Sequence, residues 1–474
     1  MSFRADDSQQ ARFAAYVEQL VSVVGHADRA APLRDYCTGL LMPAERKSVE
    51  PIAAITAPDR VAAQHQSLLH FLANAPWSDE AVLAKTRDIV LPSIERAAAI
   101  EAWIIDDTSY PKKGTHSVGV ARQYCGQRGK PDNCQVAVTL SLAHHAASLP
   151  VAYRLYLPRD WAEDPLRRKT AGVPEHIRFQ TKPEIALDQI RAALLAGLPQ
   201  GVVLMDAAYG NETWLRTQVG ALGLDYVAQI LSTTSAWAPG EAPLPAKSWS
   251  GRGRPPKRLR RDAEHQPRSV KALASALPEA AWTDVTWREG TAGELTSRFA
   301  RLRVRAAHRE DELSAPRAPE WLLIEWPRTE SEPSKYWLST LPEEISLARL
   351  VELAKLRWRI ERDYQELKQE LGLGHYEGRG WRGFHHHATL CIAAYGFLIA
   401  ERARLFPSGP CRVALFQAAG LPAGYRPRGS AAAPGAARGE LARDGAARPD
   451  GGAGPQPDAM SVLRPARPQV PTSA

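Results

Sequence analysis

Cysteine is scarce in this sequence, and the few cysteines lie far apart. The chain has 474 residues and 5 cysteines. Their number is odd and no two of them form a C-x-x-C pair, which argues against both a disulfide framework and a zinc knuckle. They are Cys37, Cys125, Cys134, Cys391 and Cys411. We therefore expect reduced thiols and a cytoplasmic location.

Long apolar runs are also missing. The longest, residues 388–400, has 13 residues, whereas a helix needs roughly 20 to cross a bilayer. We interpret this run as a core helix. The polar residues that follow Met1 predict neither a secretory signal nor a membrane anchor. The sequence thus predicts a protein without a membrane partner.

Acidic residues are outnumbered by basic ones. Lys and Arg number 60 against 52 Asp and Glu, which gives a net charge of +8. This excess favours a polyanionic partner, although charge alone separates nucleic acid poorly from an anionic membrane. A chain of this length is too long for one small core, so we expect two or three domains.

The longest helical pattern spans residues 347–372. Ser346 can cap its start, Gly372 can end it, and no proline interrupts it. Its apolar residues recur at helical spacing and should face a core. They are Leu350, Leu353, Ala354, Ile360, Tyr364, Leu367 and Leu371. The pattern predicts one long helix.

Three charged residues interrupt the apolar stripe of this helix. Arg357, Glu361 and Lys368 fall within roughly 40° of one another around the helix axis. A carboxylate on a half-buried face is costly unless a cation or a donor meets it. One interpretation is an Arg357–Glu361 pair within the helix, with Lys368 reaching water. The other is a site that Glu361 shares with acids from elsewhere in the chain.

Two apolar strands supply such acids. The short strand at 103–105 is followed by Asp106, Asp107 and Thr108, and a later strand ends in Asp206. In sequence order the elements are a strand that carries an acid, antiparallel strands, a helix, a second strand that ends in an acid, a helix, a strand, and finally a helix that carries an acid. This is the order of the α/β ribonuclease H-like fold, in which acids far apart in sequence can meet.

The expected organisation therefore has four parts. A tail rich in Ala, Gly, Pro and Arg cannot bury enough apolar surface to fold. The parts are an α-helical N-terminal DNA-binding domain at 1–98, a ribonuclease H-like catalytic core at 99–231 and 346–406, a β-rich insertion at 232–345, and a low-complexity, disordered tail at 407–474.

Two segments outside the core carry residues suited to DNA. Helical patterns flank a turn at 56–58, which is either a helix-turn-helix or an ordinary hairpin. In the first case Arg60 and Gln64 would be offered to phosphates and base edges. A basic loop in the insertion can lie in a narrow minor groove or be a solvated linker. Its residues are Arg252, Arg254, Lys257, Arg258, Arg260 and Arg261.

Two histidine clusters are weaker candidates for metal sites. Adjacent histidines on a helix diverge by about 100°, so His385, His386 and His387 do not converge on one ion. We expect a surface cluster near a DNA groove, and the same for His144 and His145.

Taken together, these motifs resemble the bacterial insertion-sequence DDE transposases, in the group with a Tyr-x2-Arg-x3-Glu-x6-Lys signature. The resemblance spans roughly residues 104–425 and includes IIDDTSYPKKGTHSVGVARQYCG, VVLMDAAYGNETWLR and LRWRIERDYQELKQELGLGHYEGRGW. The signature falls on Arg357, Glu361 and Lys368. Ala354 stands where the family has tyrosine.

The resemblance implies cut-and-paste DNA transposition. Asp106, Asp206 and Glu361 would be catalytic and would hold two Mg²⁺ ions, for which Mn²⁺ can substitute. These ions would activate water to nick a transposon end, and the freed 3′-hydroxyl would attack another phosphodiester. Arg357 and Lys368 would contact phosphates. The family's Asp-x-Thr pattern selects Asp106 with Thr108, whereas strand alternation sends Asp107 to the opposite face.

The implied partner is double-stranded DNA, as transposon terminal repeats and as target, bound by a homodimer at the nucleoid. Two other functions compete with this one. A DNA-binding protein that has lost catalysis would keep the scaffold. Ala354 and the low-complexity tail, where the resemblance implies a more ordered continuation, keep this alternative open. A two-carboxylate glycoside hydrolase explains neither Arg357 nor Lys368.

Overall fold

A buried strand, β1 (Ala102–Pro111), lies at the centre of the fold in the computed structural model, which describes residues 8–290 and 293–405. The strands around it are β2 (Ala121–Cys125), β3 (Lys130–Ala143), β4 (Ser148–Leu155), β5 (Val202–Met205) and β6 (Tyr226–Ile230). β3 runs antiparallel to β1, β2 and β4, whereas β5 and β6 run parallel to β1. This mixed α/β arrangement is consistent with a ribonuclease H-like fold.

β1 extends beyond the predicted strand at 103–105. β3 pairs with all of β1, as far as Pro111 opposite Cys134. Because this ladder continues past the acids, the strand does not end at them. Asp106 and Asp107 therefore lie in mid-strand.

The strands of residues 232–345 continue the same sheet. They are β7 (Ser235–Trp237), β8 (Arg268–Ser269), β9 (Thr283–Gly290), β10 (Gly293–Ala306), β11 (Glu320–Trp326) and β12 (Lys335–Ser339). β12 pairs antiparallel with β6. Over the described residues the sheet has twelve strands, with the main order β2-β3-β1-β5-β6-β12-β11-β10-β7-β8. The division of the chain into domains stays a prediction.

Helices cover the sheet and form most of the N-terminal part. The first five are α1 (Gln9–Val21), α2 (Ala30–Leu41), α3 (Val49–Thr56), α4 (Val61–Ala73) and α5 (Asp79–Glu95). The next six are α6 (Arg159–Ala162), α7 (Pro165–Ala171), α8 (Lys182–Leu195), α9 (Ala207–Gly210), α10 (Thr213–Ala221) and α11 (Val270–Ser275). The last three are α12 (Leu347–Leu356), α13 (Trp358–Gln369) and α14 (Trp381–Leu405).

The single helix predicted at 347–372 is wrong. The chain forms α12 and α13, which meet at Arg357. No proline or glycine lies at the junction, so local propensity does not cause the break. The break coincides with Arg357, whose side chain bonds Asp106 of β1. The apolar stripe itself is confirmed, since its residues from Leu350 to Leu371 are buried.

α14 is buried along most of its length and joins the N-terminal helices to the sheet. The hydroxyl of Tyr16 donates to the carbonyl of Ala393 (2.7 Å), and Nε of Arg12 donates to Oε1 of Glu401 (2.8 Å). The core helix predicted at 388–400 is therefore confirmed. Within the described residues, no helix is both long and apolar enough to cross a membrane.

The structure corrects the expected role of Gln64. Its side chain is buried at 5% exposure, and its amide donates to Oδ2 of Asp35 (2.7 Å). Gln64 therefore faces the helical core and is not presented to base edges. Arg60 is exposed, but it lies in the 3₁₀ turn before α4.

The expected surface cluster of histidines on α14 is also wrong. His385, His386 and His387 are buried, because α14 is covered on nearly all sides. Their ring nitrogens bond backbone carbonyls, including that of Gly372 3.0 Å from Nε2 of His387. His144 is likewise buried.

The predicted tail at 407–474 lies outside the described residues, so its expected disorder stays a prediction.

Acid should destabilise the fold through the buried histidines. Burial lowers the pKa of His386 and His387 to about 4, against roughly 6.5 in an unfolded chain. Between these values the unfolded state binds more protons, so stability is complete above about pH 6.5 and falls as the pH drops towards 4. The shift corresponds to on the order of 3 kcal/mol per histidine. Urea unfolding between about pH 7.5 and about pH 4.5 measures the loss.

His387→Gln should flatten this pH dependence, because an amide can bond Gly372 without titrating in this range. The matched control is His145, whose side chain is 73% exposed. His145→Gln should leave the dependence as in the wild type. If the stability of His387→Gln depended on pH as that of the wild type does, His387 would not contribute to the pH dependence.

Candidate catalytic site

Two aspartates meet where β1 and β5 lie side by side. The parallel register sets Ile105 opposite Met205, so Asp106 and Asp206 follow on neighbouring strands roughly 4.8 Å apart. Asp206 is also the N-cap of α9, since its Oδ1 accepts two backbone N–H groups of that helix (3.0 and 3.2 Å). The cap holds the Asp206 carboxylate at the end of β5, beside β1.

Arg357 links the first of these acids to the third. Its Nη1 donates to Oδ2 of Asp106 (2.7 Å), and its Nη2 donates to Oε1 of Glu361 (2.9 Å). Asp206 lies close enough for its charge to affect the pKa of both Asp106 and Arg357. Arg357 thus bonds both Asp106 and Glu361, and Asp206 acts on this pair through its charge without bonding Arg357. The Arg357–Glu361 pair expected from the sequence therefore forms as well.

The two acids bound by Arg357 differ in exposure. The side chain of Asp106 is 13% exposed and that of Glu361 is 64% exposed. Burial raises the pKa of Asp106 to about 7, against the effect of Arg357, and Asp206 and Asp107 add to the rise. A divalent cation bound to Asp106 would favour its charged form more strongly than Arg357 does.

The three acids offer the oxygen ligands that hard divalent cations prefer. In the described part of the chain, however, no three His, Cys, Asp or Glu side chains are grouped as a metal site. The sequence led us to expect carboxylates in direct proximity, whereas the structure sets Arg357 between Asp106 and Glu361. The carboxylate oxygens are therefore the right type of ligand for a divalent ion. They could bind one together only if Arg357 released Asp106 and Glu361.

Asp107 has different partners from Asp106. Nζ of Lys182 donates to Oδ2 of Asp107 (2.9 Å), and the hydroxyl of Tyr209 donates to the same oxygen over 3.4 Å. Thr108 is buried at 4% exposure. Of the two adjacent aspartates, the structure therefore joins Asp106 to Arg357.

Lys368 lies against β1. Its Nζ donates to the carbonyl of Ser109 (3.1 Å) and is 5.2 Å from the ring centre of Tyr110. Burial lowers the pKa of Lys368 to about 8. Ala354, in the signature's tyrosine position, is buried in the apolar cluster beneath α12.

One contact near the acids was missed by the sequence analysis. Arg288 of β9 stacks on Trp358, with 3.8 Å from its guanidinium carbon to the ring centre. Burial lowers the pKa of Arg288, and the charge of Glu361 opposes this shift. A residue of the insertion thus lies near the third acid. No motif or spacing indicates this contact, which depends on how β9 packs against α12 and α13.

The basic loop contains unpaired and paired cations. Four exposed cations form no ion pair among the described residues: Arg252, Arg254, Lys257 and Arg258. The backbone of Arg260 forms a bridge with Leu244, and Nε of Arg261, which is also exposed, donates to Oε1 of Glu310 (2.6 Å). The four unpaired cations are therefore the ones available to an anionic partner.

Removing the Arg357 side chain should destabilise the protein. We expect Arg357→Gln to cost on the order of 1.5–3 kcal/mol, because Asp106 would lose its charge-assisted bond and stay buried. Adding Asp106→Asn should recover part of this loss, since a neutral amide needs no counter-charge. Urea unfolding of the single and double variants measures the coupling between the two residues.

Arg349 is the matched control for this experiment. It also reaches towards β1, where its Nη2 donates to Oε1 of Glu101 (2.8 Å), but its side chain is 42% exposed. Arg349→Gln should therefore cost less than about 1 kcal/mol. Equal losses in the two variants would show that the Asp106–Arg357 pair contributes no more than a surface ion pair.

Comparison with known proteins adds independent evidence. The sequence model of a family described as DDE superfamily endonuclease matches residues 19–294, which is more than half of the chain. The match includes Asp106 and Asp206 and ends before Glu361.

A curated relative agrees with this family. The probable transposase for insertion sequence element IS701 of Microchaete diplosiphon is 32% identical over 195 residues, which cover 41% of this chain and 47% of that protein. The chain thus spans about half the length of this relative. The chain belongs to the DDE superfamily endonucleases, and within them it is similar to an insertion-sequence transposase.

Proposed function

We propose that this chain is the transposase of an insertion sequence, which nicks DNA at the ends of its element and transfers the freed strands to target DNA. The observation that carries the proposal is that Arg357 bonds both Asp106 and Glu361, while Asp206 follows the neighbouring strand β5. These acids come from three separate elements, β1, the cap of α9, and α13. The family match supports the reaction class.

DDE superfamily endonucleases use divalent metal ions. In this chain Asp106, Asp206 and Glu361 would hold them, and we infer two Mg²⁺ ions with Mn²⁺ as a substitute. When bound, such ions lower the pKa of water and neutralise charge that develops on phosphate oxygens. The carboxylate of the buried Asp106 would be held in place by β1, while that of Asp206 is fixed by the first turn of α9.

Arg357 must leave Asp106 and Glu361 before these acids can act as ligands. A guanidinium binds phosphate in the same bidentate way as it binds carboxylate. A DNA phosphate at the site therefore offers Arg357 a new partner, and Lys368 supplies a second positive charge beside β1. In this proposal, the arrival of the substrate frees the acids.

The partner in this proposal is double-stranded DNA, as terminal repeats and as target, bound by a homodimer. The net charge of +8 supports a polyanionic partner. Exposed cations of the basic loop and Arg60 would contact the backbone. A DNA-binding protein without catalysis is the second candidate, which the neutralisation of two acids by Arg357 favours.

Nicking separates these two functions. The purified chain should nick supercoiled DNA that carries the ends of its element with Mg²⁺ or Mn²⁺, and not with Ca²⁺, which takes looser geometry than in-line displacement requires. Glu361→Gln should lower nicking to below about 1% of the wild-type rate while end binding persists. The measurement is the conversion of supercoiled to open-circular DNA on a gel.

Glu352→Gln on α12 is the control, because Glu352 is exposed and pairs with Arg349. It should nick as the wild type does. If the wild type binds ends and nicks with neither metal, the non-catalytic candidate is correct. If Glu361→Gln nicks normally, the third acid is misassigned, and Glu370 would be tested next, because Glu366 is tied to Arg362 and Arg402.

The basic loop should determine part of the salt dependence of DNA binding. Each phosphate contact adds about 0.9 to the slope of log K against log salt. Changing the four exposed loop cations to glutamine should lower the slope by up to about 3.6. The slope comes from fluorescence anisotropy at several salt concentrations.

A matched control replaces four exposed cations that already pair with acids. They are Arg34, Arg159, Lys271 and Arg328, which pair with Glu18, Glu163, Glu332 and Asp284. This control should keep the wild-type slope. A wild-type slope in the loop variant would identify the loop as a solvated linker.

A further inference from the structure

A basic cavity of about 730 Å³ lies next to α9, separate from the three acids. It is lined by the α9–α10 connection, the segment after β6, the loop after β10, and Arg261. Its basic members are Arg216, Arg261, His308 and Arg309, and the described residues that line it include no carboxylate. The volume is in the range of ligand pockets, roughly 300–1,000 Å³.

Arg216 places a buried positive charge at this cavity. It is 4% exposed, and its guanidinium donates to the carbonyl of Gly210 and to Oγ1 of Thr213 (3.2 Å). Among the described residues Arg216 forms no ion pair within 4.0 Å. It does interact electrostatically with Glu320, a buried acid that accepts from the hydroxyl of Tyr226 (2.6 Å). A buried guanidinium without a direct ion pair favours an anionic ligand.

Arg309 adds positive charge at the rim of the cavity. His308 and Arg309 are both exposed there, while the charge of Arg261 is balanced by Glu310. The pKa of His308 is lowered by partial burial and by the charges of Arg309 and Arg216. Arg309 has a φ of +51°, a left-handed conformation that side chains rarely adopt and that is concentrated at functional sites.

The cavity is tied to the helix that Asp206 caps. The side-chain oxygen of Asn211 accepts from the backbone N–H of Leu231 and from Oγ1 of Thr234 (both 3.1 Å), and its amide donates to the carbonyl of Ala207 (2.8 Å). At a helical rise of 1.5 Å per residue, Asn211 lies about 7–8 Å along the chain from Asp206. These hydrogen bonds of Asn211 therefore fix the distance between the cavity and Asp206.

We propose that this cavity binds a phosphodiester group of the DNA strand that is cut beside Asp206, a few nucleotides from the cleaved bond. The inference rests on the proposed function. Arg216 would meet the phosphate inside the cavity, and Arg309 would meet it at the rim. The hydroxyls of Thr233 and Ser235 would be further donors in the lining, whereas that of Thr234 already donates to Asn211. The set distance from Asp206 favours a phosphate on the same strand over a free anion.

Arg309→Gly tests the proposal with little risk to the fold. Glycine adopts a positive φ readily, so the variant should be at least as stable as the wild type. It removes one phosphate contact and should lower the salt slope of DNA binding by about 0.9, which weakens binding roughly eightfold at about 0.1 M salt. Phosphate ethylation of the element's ends should show one interfering position, near the nick, whose effect is weakened in Arg309→Gly because only the Arg216 contact remains.

The control is Arg328→Gly, which removes an exposed arginine that pairs with Asp284 outside the cavity. It should keep the wild-type slope and interference pattern. All binding is measured without divalent metal, so a chain that never nicks still tests the cavity. Normal nicking with an unchanged slope in Arg309→Gly would overturn the cavity and leave the proposed function standing. If Arg309→Gly lowers the slope but the wild type does not nick, the cavity is supported and the proposed nicking function is overturned.

Inorganic pyrophosphate distinguishes DNA from a free anion as the ligand. It is titrated into wild type, Arg309→Gly and Arg328→Gly by calorimetry. Tight pyrophosphate binding that Arg309→Gly loses, together with an unchanged DNA slope, would show that the cavity takes a free anion and would overturn the proposal. Weak pyrophosphate binding with a lowered DNA slope supports a phosphate held on the strand.

Discussion

The guanidinium of Arg357 stabilises the centre of this structure through electrostatic interactions. It bonds the buried carboxylate of Asp106 on one side and Glu361 on the other. A buried carboxylate without a counter-charge is strongly destabilising, so the position of α13 against β1 depends on this contact. The junction of α12 and α13 falls at the same residue. In the proposed reaction, the interaction that stabilises the free chain would have to open before the acids could bind ions.

The sheet sets where the remaining parts of the site lie. The parallel register of β1 and β5 places Asp106 beside Asp206, and β12 joins the insertion to β6. The insertion therefore packs against the core and brings Arg288 near Glu361. The basic cavity next to α9 is lined in part by residues of the same insertion. Residues of the insertion thus add positive charge both near Glu361 and next to the helix that Asp206 caps.

Several sequence predictions failed at positions where burial decides the outcome. Gln64 and the histidines of α14 look like surface residues in the sequence, because polar residues are mostly exposed. Both are buried, since the N-terminal helices and α14 cover each other, and each side chain finds a protein partner. Local periodicity does not show how two helices pack, so it could not predict these contacts.

The sequence by itself determined the family, the α/β class, and the apolar stripe of α12 and α13, because periodicity and motif spacing are local properties of the chain. Only the tertiary structure decided which aspartate meets Arg357, where the long helix breaks, and that Arg288 and the basic cavity lie near the acids. These features join residues that lie far apart in the sequence. Their geometry depends on strand register and on the burial of charge, which no local pattern records.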